Sequence, residues 1–407
     1  MEWLTALLTP GVLLGNAVLW VALNNRMHAR QWPRVLVRTL DVVQMLAIPG
    51  VSWLWLRWCA LNWGGLGWLG SPWDPAAEKV GPTAGESPPG AASGLPWWAW
   101  LGVVVLQWIA VTGAIAWWRR RRAPLPKQVV GLSRQRLDLA TGPAGVVRDS
   151  IVRSPFQWVP GSELLRVEIT TLRIILPRWP AGWPGLKVVH LSDTHFAGQV
   201  PRAYFERVFA LAAEQCPDLV VFTGDLLDHP ERVDWLPATF GLLQAPLGNF
   251  YVLGNHDKSH GDVQRSRELL AELGWQDCTG PCRLVEQGGQ VLAIGGSEQP
   301  WLGPAPDWTA APASALRLLV SHTPDQLDAA RRGGVDLMLS GHTHGGQVCL
   351  PVVGPIFSPS ENGVQYASGT FWETPTLLHV NRGLSGRSSW RWNCCPEVTV
   401  LELRGGS

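Results

Sequence analysis

The sequence predicts an α/β domain preceded by an α-helical membrane region, and three observations carry that reading. The first 122 residues hold long uncharged apolar stretches, the later residues alternate short aliphatic runs with amphipathic ones, and the break falls on Arg119-Arg120-Arg121-Arg122. Charged residues are only 16% of the 407, against ~25% in ordinary soluble chains, so part of the chain is diluted by apolar sequence. Trp follows the same division, with 15 of 25 before Arg119. The length suits two or three domains. Lys and Arg total 33 and Asp and Glu 32, a net charge of +1. That balance lacks the basic excess of a dedicated nucleic-acid binder, so no nucleic-acid partner is expected. The seven Cys, including adjacent Cys394 and Cys395, form no even framework and fit a reducing compartment.

In the apolar region, Leu4 to Leu23 is 20 residues and Leu95 to Trp118 is 24 residues without an ionisable side chain. At 1.5 Å per residue, helices of these lengths reach across a ~30 Å hydrocarbon core. The middle stretch, Val42 to Gly70, contains Arg57, whose long side chain can extend toward headgroups. Trp53, Trp55, Trp58, Trp63 and Trp68 suit an interfacial belt. The expectation is a membrane region over residues 1–122 with about three spans, near 4–23, 42–69 and 95–118; whether the middle one crosses fully stays open. Arg26, Arg30, Arg34 and Arg38 lie between the first two stretches, and the four Arg follow the third, whereas the loop from Ser71 to Gly94 carries Asp74, Glu78 and Glu86 against Lys79. The positive-inside rule then puts that loop outside and everything after Arg119 in the cytoplasm. Glu2 is the first charge and no basic segment precedes the apolar run, so a cleaved signal peptide is not expected. Residues 123–163, mixed and rich in Pro, Arg and Gly, read as a linker, and residues 164–407 as a separate α/β domain.

Five aliphatic runs in the later part end alike. Leu186 to Leu191 leads into Ser192-Asp193-Thr194-His195, Leu219 to Phe222 into Gly224-Asp225-Leu226-Leu227-Asp228, and Phe250 to Leu253 into Gly254-Asn255-His256-Asp257. Leu318 to Val320 leads into Ser321-His322, and Val335 to Leu339 into Ser340-Gly341-His342-Thr343-His344-Gly345-Gly346. Such runs, bounded by Gly, Ser and Asp, read as buried strands. Helical periodicity over Pro201 to Cys216, Val263 to Leu273 and Pro324 to Arg332 separates them, which predicts a sheet covered on its faces. Ligand sites in such folds lie beyond the carboxyl ends of the strands. Here those ends carry Asp, His and Asn.

A lone His at a strand end is more often structural than chemical. Five of the chain's ten His at strand ends, each beside Asp, Asn or Gly, form a pattern that chance placement does not produce. Carboxylate, amide and imidazole donors without Cys suit Mn²⁺, Fe or Zn²⁺. Asp193, His195, Asp225, Asn255, His322, His342 and His344 are too many for one ion and fit two divalent cations with a carboxylate between them.

With their order and spacing, Asp193-x-His195, Gly224-Asp225-x-x-Asp228, Gly254-Asn255-His256-Asp257, His322 and Gly341-His342-x-His344 resemble the calcineurin-like metallophosphoesterase signature. Gly345-Gly346-Gln347, Leu350-Pro351, Asn381-Arg382-Gly383-Leu384 and Pro396-Glu397-Val398 extend the likeness to bacterial membrane-associated members and to transmembrane proteins with this domain. The resemblance implies a four-layer α/β sandwich of two mixed sheets flanked by helices. It implies Asp193, His195, Asp225 and His344 at one metal, and Asp225, Asn255, His322 and His342 at the other. His256 takes the place of the family's catalytic His. Asp257, standing where many members have Glu, is expected to orient it. Asp228 is expected to hold a ligand or loop, and Arg382 is a candidate contact for substrate phosphate.

The implied activity is hydrolysis of a phosphodiester or pyrophosphate bond by metal-activated hydroxide, in a multi-pass inner-membrane protein whose catalytic domain faces the cytoplasm. A lipid-linked or nucleotide-sugar substrate, like that of the UDP-2,3-diacylglucosamine pyrophosphohydrolase branch, suits such anchoring. A broad phosphomonoesterase or protein phosphatase, a non-catalytic membrane scaffold, and an enzyme facing outward are the alternatives. His229 reads as a solvated loop residue, and His190 and His379 as core. Cys349 reads as a buried strand residue, not a nucleophile. The stretch between Asp257 and Ser321 is expected to carry substrate-selecting loops.

Overall fold

The computed structural model describes residues 2–30, 32–63, 97–140, 160–197, 200–386 and 390–406. They divide into two compact units, one of residues 1–28 and 32–123 and one of residues 29–31 and 124–407.

The first unit is three helices, α1 (Glu2–Ala29), α2 (Arg34–Trp63) and α3 (Trp97–Arg122). Each contains a segment long and apolar enough to cross a bilayer: Leu7–Ala29, Val35–Cys59 and Trp97–Arg122. The second helix begins eight residues before the expected Val42 (42 − 34) and takes in Arg34, Arg38 and Asp41. Charged side chains end an apolar run but not a helix, because they cost little in helix propensity. Trp68 and the end of the expected middle span, like the loop at 71–94, lie outside the described residues. Several polar side chains inside the unit find partners, as an apolar environment favours. Asn16 Nδ2 donates to the Ile48 carbonyl at 3.0 Å, Trp55 Nε1 to Thr9 Oγ1 at 3.1 Å, and Gln107 Nε2 to the Leu8 carbonyl at 2.6 Å. A Cβ on Gly15 would stand 2.0 Å from the Leu106 carbonyl oxygen, so only glycine lets α1 and α3 come this close.

In the second unit, β1 (Val129–Asp138), β2 (Arg166–Ile175), β3 (Leu186–Leu191), α4 (Arg202–Ala213) and β4 (Leu219–Thr223) come first. Then follow α5 (Leu236–Thr239), β5 (Asn249–Val252), α6 (Asn255–His260), α7 (Val263–Glu272) and β6 (Trp275–Asp277). Next are β7 (Arg283–Gln287), β8 (Gln290–Ser297), β9 (Leu316–Ser321), α8 (Leu327–Arg332) and β10 (Leu337–Ser340). The last are the short β11 (Cys349–Leu350) and β12 (Gly354–Pro355), then β13 (Gly369–Glu373), β14 (Thr376–Val380) and β15 (Glu397–Arg404). One sheet has the order β1-β2-β15-β3-β4-β5-β6 and the other β13-β14-β10-β9-β8-β7. Both are mixed: β3, β4, β5 and β6 run parallel, as do β14, β10, β9 and β8, whereas β1–β2, β15–β3, β13–β14 and β7–β8 are antiparallel pairs.

The apolar runs are continuous because both faces of their strands are covered. Leu186 and Val188 of β3, Leu219 and Val221 of β4, and Phe250 and Val252 of β5 meet Leu316, Leu318 and Val320 of β9 and Leu337 and Leu339 of β10 between the sheets. The alternate residues, Val189, Leu191, Val220, Phe222 and Tyr251, face outward against Phe205, Val208 and Phe209 of α4. On the far side Leu319 and Met338 pack against Leu327 and Ala330 of α8. Helices, sheet, sheet and helices make the four layers.

Residues 129–138 correct the expected linker. They form β1, an edge strand paired antiparallel with β2 from Val129↔Ile174 to Asp138↔Arg166. Its sequence, Val-Val-Gly-Leu-Ser-Arg-Gln-Arg-Leu-Asp, lacks an aliphatic run because an edge strand meets solvent; Val130 and Leu132 are exposed. Arg136 Nε donates to buried Glu168 Oε2 at 2.5 Å and ties the edge to the sheet.

Phe240 is the centre of the outer aromatic cluster, with ring centroids 4.8 Å from Phe209, 5.0 Å from Phe222 and 5.0 Å from Trp275. Phe240→Ala leaves a cavity among rigid rings and is expected to cost ~3–5 kcal/mol. Denaturant titration of the purified full chain measures it, and a loss below ~1 kcal/mol would mean that the cluster refills the space.

Candidate metal centre

The candidate ligands sit where their strands stop. Asp193 and His195 follow β3, Asp225 follows β4, His322 follows β9, and His342 and His344 follow β10, while Asn255 and His256 open α6 just after β5. Parallel strands release these residues on one side, and the two sheets bring that side together. Asp193, His195, Asp225 and His344 have ligand atoms within 4.8 Å of one another, and so do Asp225, His322 and His342. Asp225 belongs to both groups.

Hydrogen bonds decide what each imidazole can do. His195 Nδ1 lies 3.0 Å from Asp228 Oδ1, and His344 Nδ1 3.2 Å from the Ser385 carbonyl, so each donates there. Their Nε2 atoms then face each other across 3.3 Å, each with a lone pair unless a positive charge intervenes. His322 Nδ1 donates to the Thr223 carbonyl at 2.7 Å, which turns its Nε2 to Asn255 Oδ1 at 3.0 Å and Asp225 Oδ1 at 3.3 Å, two oxygens that cannot donate to it. His342 Nε2 donates to the Pro359 carbonyl at 2.9 Å, and its Nδ1 is buried with no hydrogen-bond partner among the described residues. Imidazole nitrogens and the Asp193 and Asp225 carboxylates thus converge on one space, and the donors that reach the carboxylates are neutral: the Ser192 hydroxyl and the His342 amide at Asp193, and the His256 amide at Asp225.

Charge says the same. Asp193 and Asp225 are 0% and 1% exposed, and among the described residues they pair only with imidazoles, never with Lys or Arg. Burying carboxylates uncompensated costs several kcal/mol each. Burial resists charge on His195, yet Asp228, Asp225 and Asp193 outweigh it and raise its pKa to about 9. His322 is likewise raised to about 9 against burial, by Asp225 and Asp193. Burial, with His322 beside it, pushes His342 down to about 3, and burial with His195 beside it depresses His344. The centre therefore draws positive charge to its middle, and oxygen and imidazole donors of this kind fit divalent cations.

The backbone is strained to achieve this. Asp193, His195, Asp225, His342 and His344 have φ of 54°, 43°, 56°, 69° and 51°. Left-handed conformations cost non-glycine residues of order 1–3 kcal/mol each and persist where surroundings enforce them. Glycines permit the close packing: a Cβ on Gly341 would stand 1.9 Å from Ser192 Oγ, and one on Gly254 2.2 Å from Asp225 Oδ1.

Two expected roles are corrected. Asp257 does not reach the His256 ring; its Oδ1 accepts from Leu226 and Leu227 N at 2.9 Å and its Oδ2 from Gly254 N at 2.8 Å. The carboxylate ties α6 to the loop after Asp225, and Asp228 orients His256 instead, accepting from its Nδ1 at 2.6 Å. Asp228 thus holds His195 and His256 together. Arg382, expected at substrate phosphate, is committed to Glu397 Oε2 at 3.0 Å and Glu168 Oε1 at 2.6 Å, because both carboxylates are buried and need its charge. His229 is exposed, His190 and His379 are core, and Cys349 sits half-buried in β11.

Other contributors carry no sequence signature. The carbonyls of Thr223, Pro359 and Ser385 aim three of the imidazoles. Buried Arg391 donates to the carbonyl of Ser385 and, at 3.5 Å, to that of His344. Trp301, within the stretch expected to carry substrate-selecting loops, lays its ring 4.8 Å from His342 and 5.4 Å from His322.

Residues 186–346 match the sequence profile of the family described as Calcineurin-like phosphoesterase. The uncharacterized metallophosphoesterase YkuE of Bacillus subtilis is 34% identical over 234 residues, 55% of this chain and 81% of the relative. The phosphodiesterase YaeI of Escherichia coli is 31% identical over 223 residues, 53% of this chain and 82% of the relative. The UDP-2,3-diacylglucosamine pyrophosphatase LpxG of Chlamydia trachomatis is 26% identical over 304 residues, 60% of this chain and 91% of the relative.

Gly254 offers a steric test, since its φ of −116° suits any residue and only the space is forbidden. Gly254→Ala is expected to push the Asp225 carboxylate aside and weaken Mn²⁺ binding at least ~10-fold, as loss of ligand positioning does. Calorimetric titration measures it beside circular dichroism of the folded chain; unchanged affinity would show that Asp225 tolerates displacement.

Proposed function

Because this chain belongs to the calcineurin-like phosphoesterase family and is a metal-dependent phosphoester hydrolase, we propose that it cleaves a phosphodiester or pyrophosphate bond from a membrane-anchored position. The observation that carries the reading is the pair of acceptor clusters sharing Asp225. Asp193, His195, Asp225 and His344 would hold one divalent cation, and Asp225, Asn255, His322 and His342 a second, each being Mn²⁺, Fe or Zn²⁺. When bound, such ions supply Lewis acidity, lowering the pKa of water and offsetting charge on phosphate oxygens.

The chain's own residues do the rest. Asp228 accepts a hydrogen bond from His256 Nδ1–H at 2.6 Å and pairs with the imidazolium form, in which Nε2 also carries a proton; Nε2 gives that proton to the departing oxygen and His256 is left neutral with its proton on Nδ1. The His256 side chain is 14% exposed, within reach of substrate but largely shielded from bulk water. Asp257 holds α6 and the Asp225 loop in one frame, so His256 and the shared carboxylate keep their spacing.

The diester and pyrophosphate preference is supported by YaeI, named a phosphodiesterase, and LpxG, named a UDP-2,3-diacylglucosamine pyrophosphatase. An amphiphilic substrate, lipid-linked or a nucleotide sugar, suits a catalytic unit joined to helices of membrane-crossing length. The Arg cluster that closes α3 supports a reading in which the catalytic part, from β1 on, lies on the cytoplasmic side of the inner membrane.

Three outcomes are expected. His256→Ala lowers kcat by ~10²–10⁴-fold while bound metal, measured by mass spectrometry, is retained; full activity would remove His256 from proton transfer. With Mn²⁺, the full chain hydrolyses bis-p-nitrophenyl phosphate faster than p-nitrophenyl phosphate, and chelation stops both; the opposite preference would favour a monoesterase, and no hydrolysis a scaffold. In intact cells the domain resists added protease, and its digestion from outside would reverse the topology.

A further inference from the structure

Ser192, Thr223 and His190 form a buried chain of hydrogen bonds that the proposed mechanism does not use. All three are 0% exposed. Ser192 Oγ donates to Asp193 Oδ2 at 2.5 Å. A hydroxyl has one proton, so the 2.7 Å contact between Thr223 Oγ1 and Ser192 Oγ has Thr223 donating. The same count leaves Thr223 Oγ1 only able to accept from His190 Nε2 at 3.0 Å. Three donors therefore point one way, from His190 to the Asp193 carboxylate, and donors aligned in this manner strengthen one another. His190 Nδ1 is consequently bare, and it has no partner among the described residues.

Thr223 also acts on the opposite side of the centre. Its carbonyl takes the Nδ1 proton of His322 at 2.7 Å and so presents Nε2 to Asn255 and Asp225. Two positions later in the chain stands Asp225, common to both ligand groups. One residue thus touches each half of the centre, with its hydroxyl on one side and its carbonyl on the other.

The geometry points to Thr223 as a positioning residue that governs the two cation positions separately: the hydroxyl, through Ser192, aims Asp193, and the carbonyl aims His322. This rests on the two-cation reading above. A substitution that removes only the hydroxyl should disturb one position and spare the other, which a merely structural role in β4 would not do.

The test is calorimetric Mn²⁺ titration of the purified full chain, with apo melting temperatures measured alongside. Thr223→Val and Ser192→Ala are each expected to weaken one of two binding steps by ~10–100-fold, as loss of outer partners does at metal sites, and to leave the other unchanged. Thr223→Ser, which restores the hydroxyl, should return the weakened step to within ~3-fold of wild type. Should Thr223→Val fail to fold, Ser192→Ala alone decides, since it leaves β4 intact. Equal weakening of both steps, or wild-type affinity in Ser192→Ala, would overturn the assignment. A wild-type chain that binds a single Mn²⁺, or none, would overturn the two-cation reading together with it.

Discussion

A cluster of imidazole nitrogens and buried carboxylates, with no Lys or Arg among the described residues to balance it, is the constraint on which the centre depends. Imidazole nitrogens of His195 and His344 face each other at 3.3 Å, His322 faces two oxygens, and Asp193 and Asp225 are buried among them. Without positive charge, such a group is repulsive as well as desolvated, and the penalty falls on the folded state. Protons on His195 and His322 meet part of that need in the bare protein, which is why both hold them so firmly. Cations meet it more fully, because one ion can satisfy several lone pairs at once. Metal binding and the stability of the strand ends are therefore coupled.

The rest of the domain makes this arrangement affordable. Two sheets, each apolar on both faces, fix the carboxyl ends of β3, β4, β9 and β10 around one space. Left-handed backbone at five ligands would relax if those strands could slide, and the interior packing prevents it. Each of the four candidate imidazole ligands is then aimed by a partner on a different element: Asp228 for His195, Ser385 for His344, Pro359 for His342 and Thr223 for His322. Rigidity of the frame and direction from these partners together hold acceptors where their own repulsion would separate them.

What the sequence made legible follows from the same physics. Buried parallel strands need continuous aliphatic runs, and these runs are bounded by Gly, Ser and Asp, so the ends of β3, β4, β5, β9 and β10 stood out together with the residues they release. The edge strand β1 did not, because half its side chains meet water and Arg134 and Arg136 serve ion pairs with Glu168. Asp257 was expected from the family resemblance to orient His256, but one residue further along a helix its side chain points elsewhere, and its carboxylate meets backbone amides instead. Arg382 was a candidate phosphate contact from its place in the Asn-Arg-Gly loop, whereas the buried Glu168 and Glu397 that hold it come from β2 and β15. Carbonyls that aim imidazoles leave no mark on residue type at all.

The most direct measurement is electron paramagnetic resonance of the full chain loaded with two equivalents of Mn²⁺. A shared Asp225 carboxylate predicts an exchange-coupled pair, seen as a multiline spectrum that disappears on Asp225→Asn. A six-line spectrum of isolated Mn²⁺ at every loading, or no bound Mn²⁺, would contradict a centre built around one common ligand.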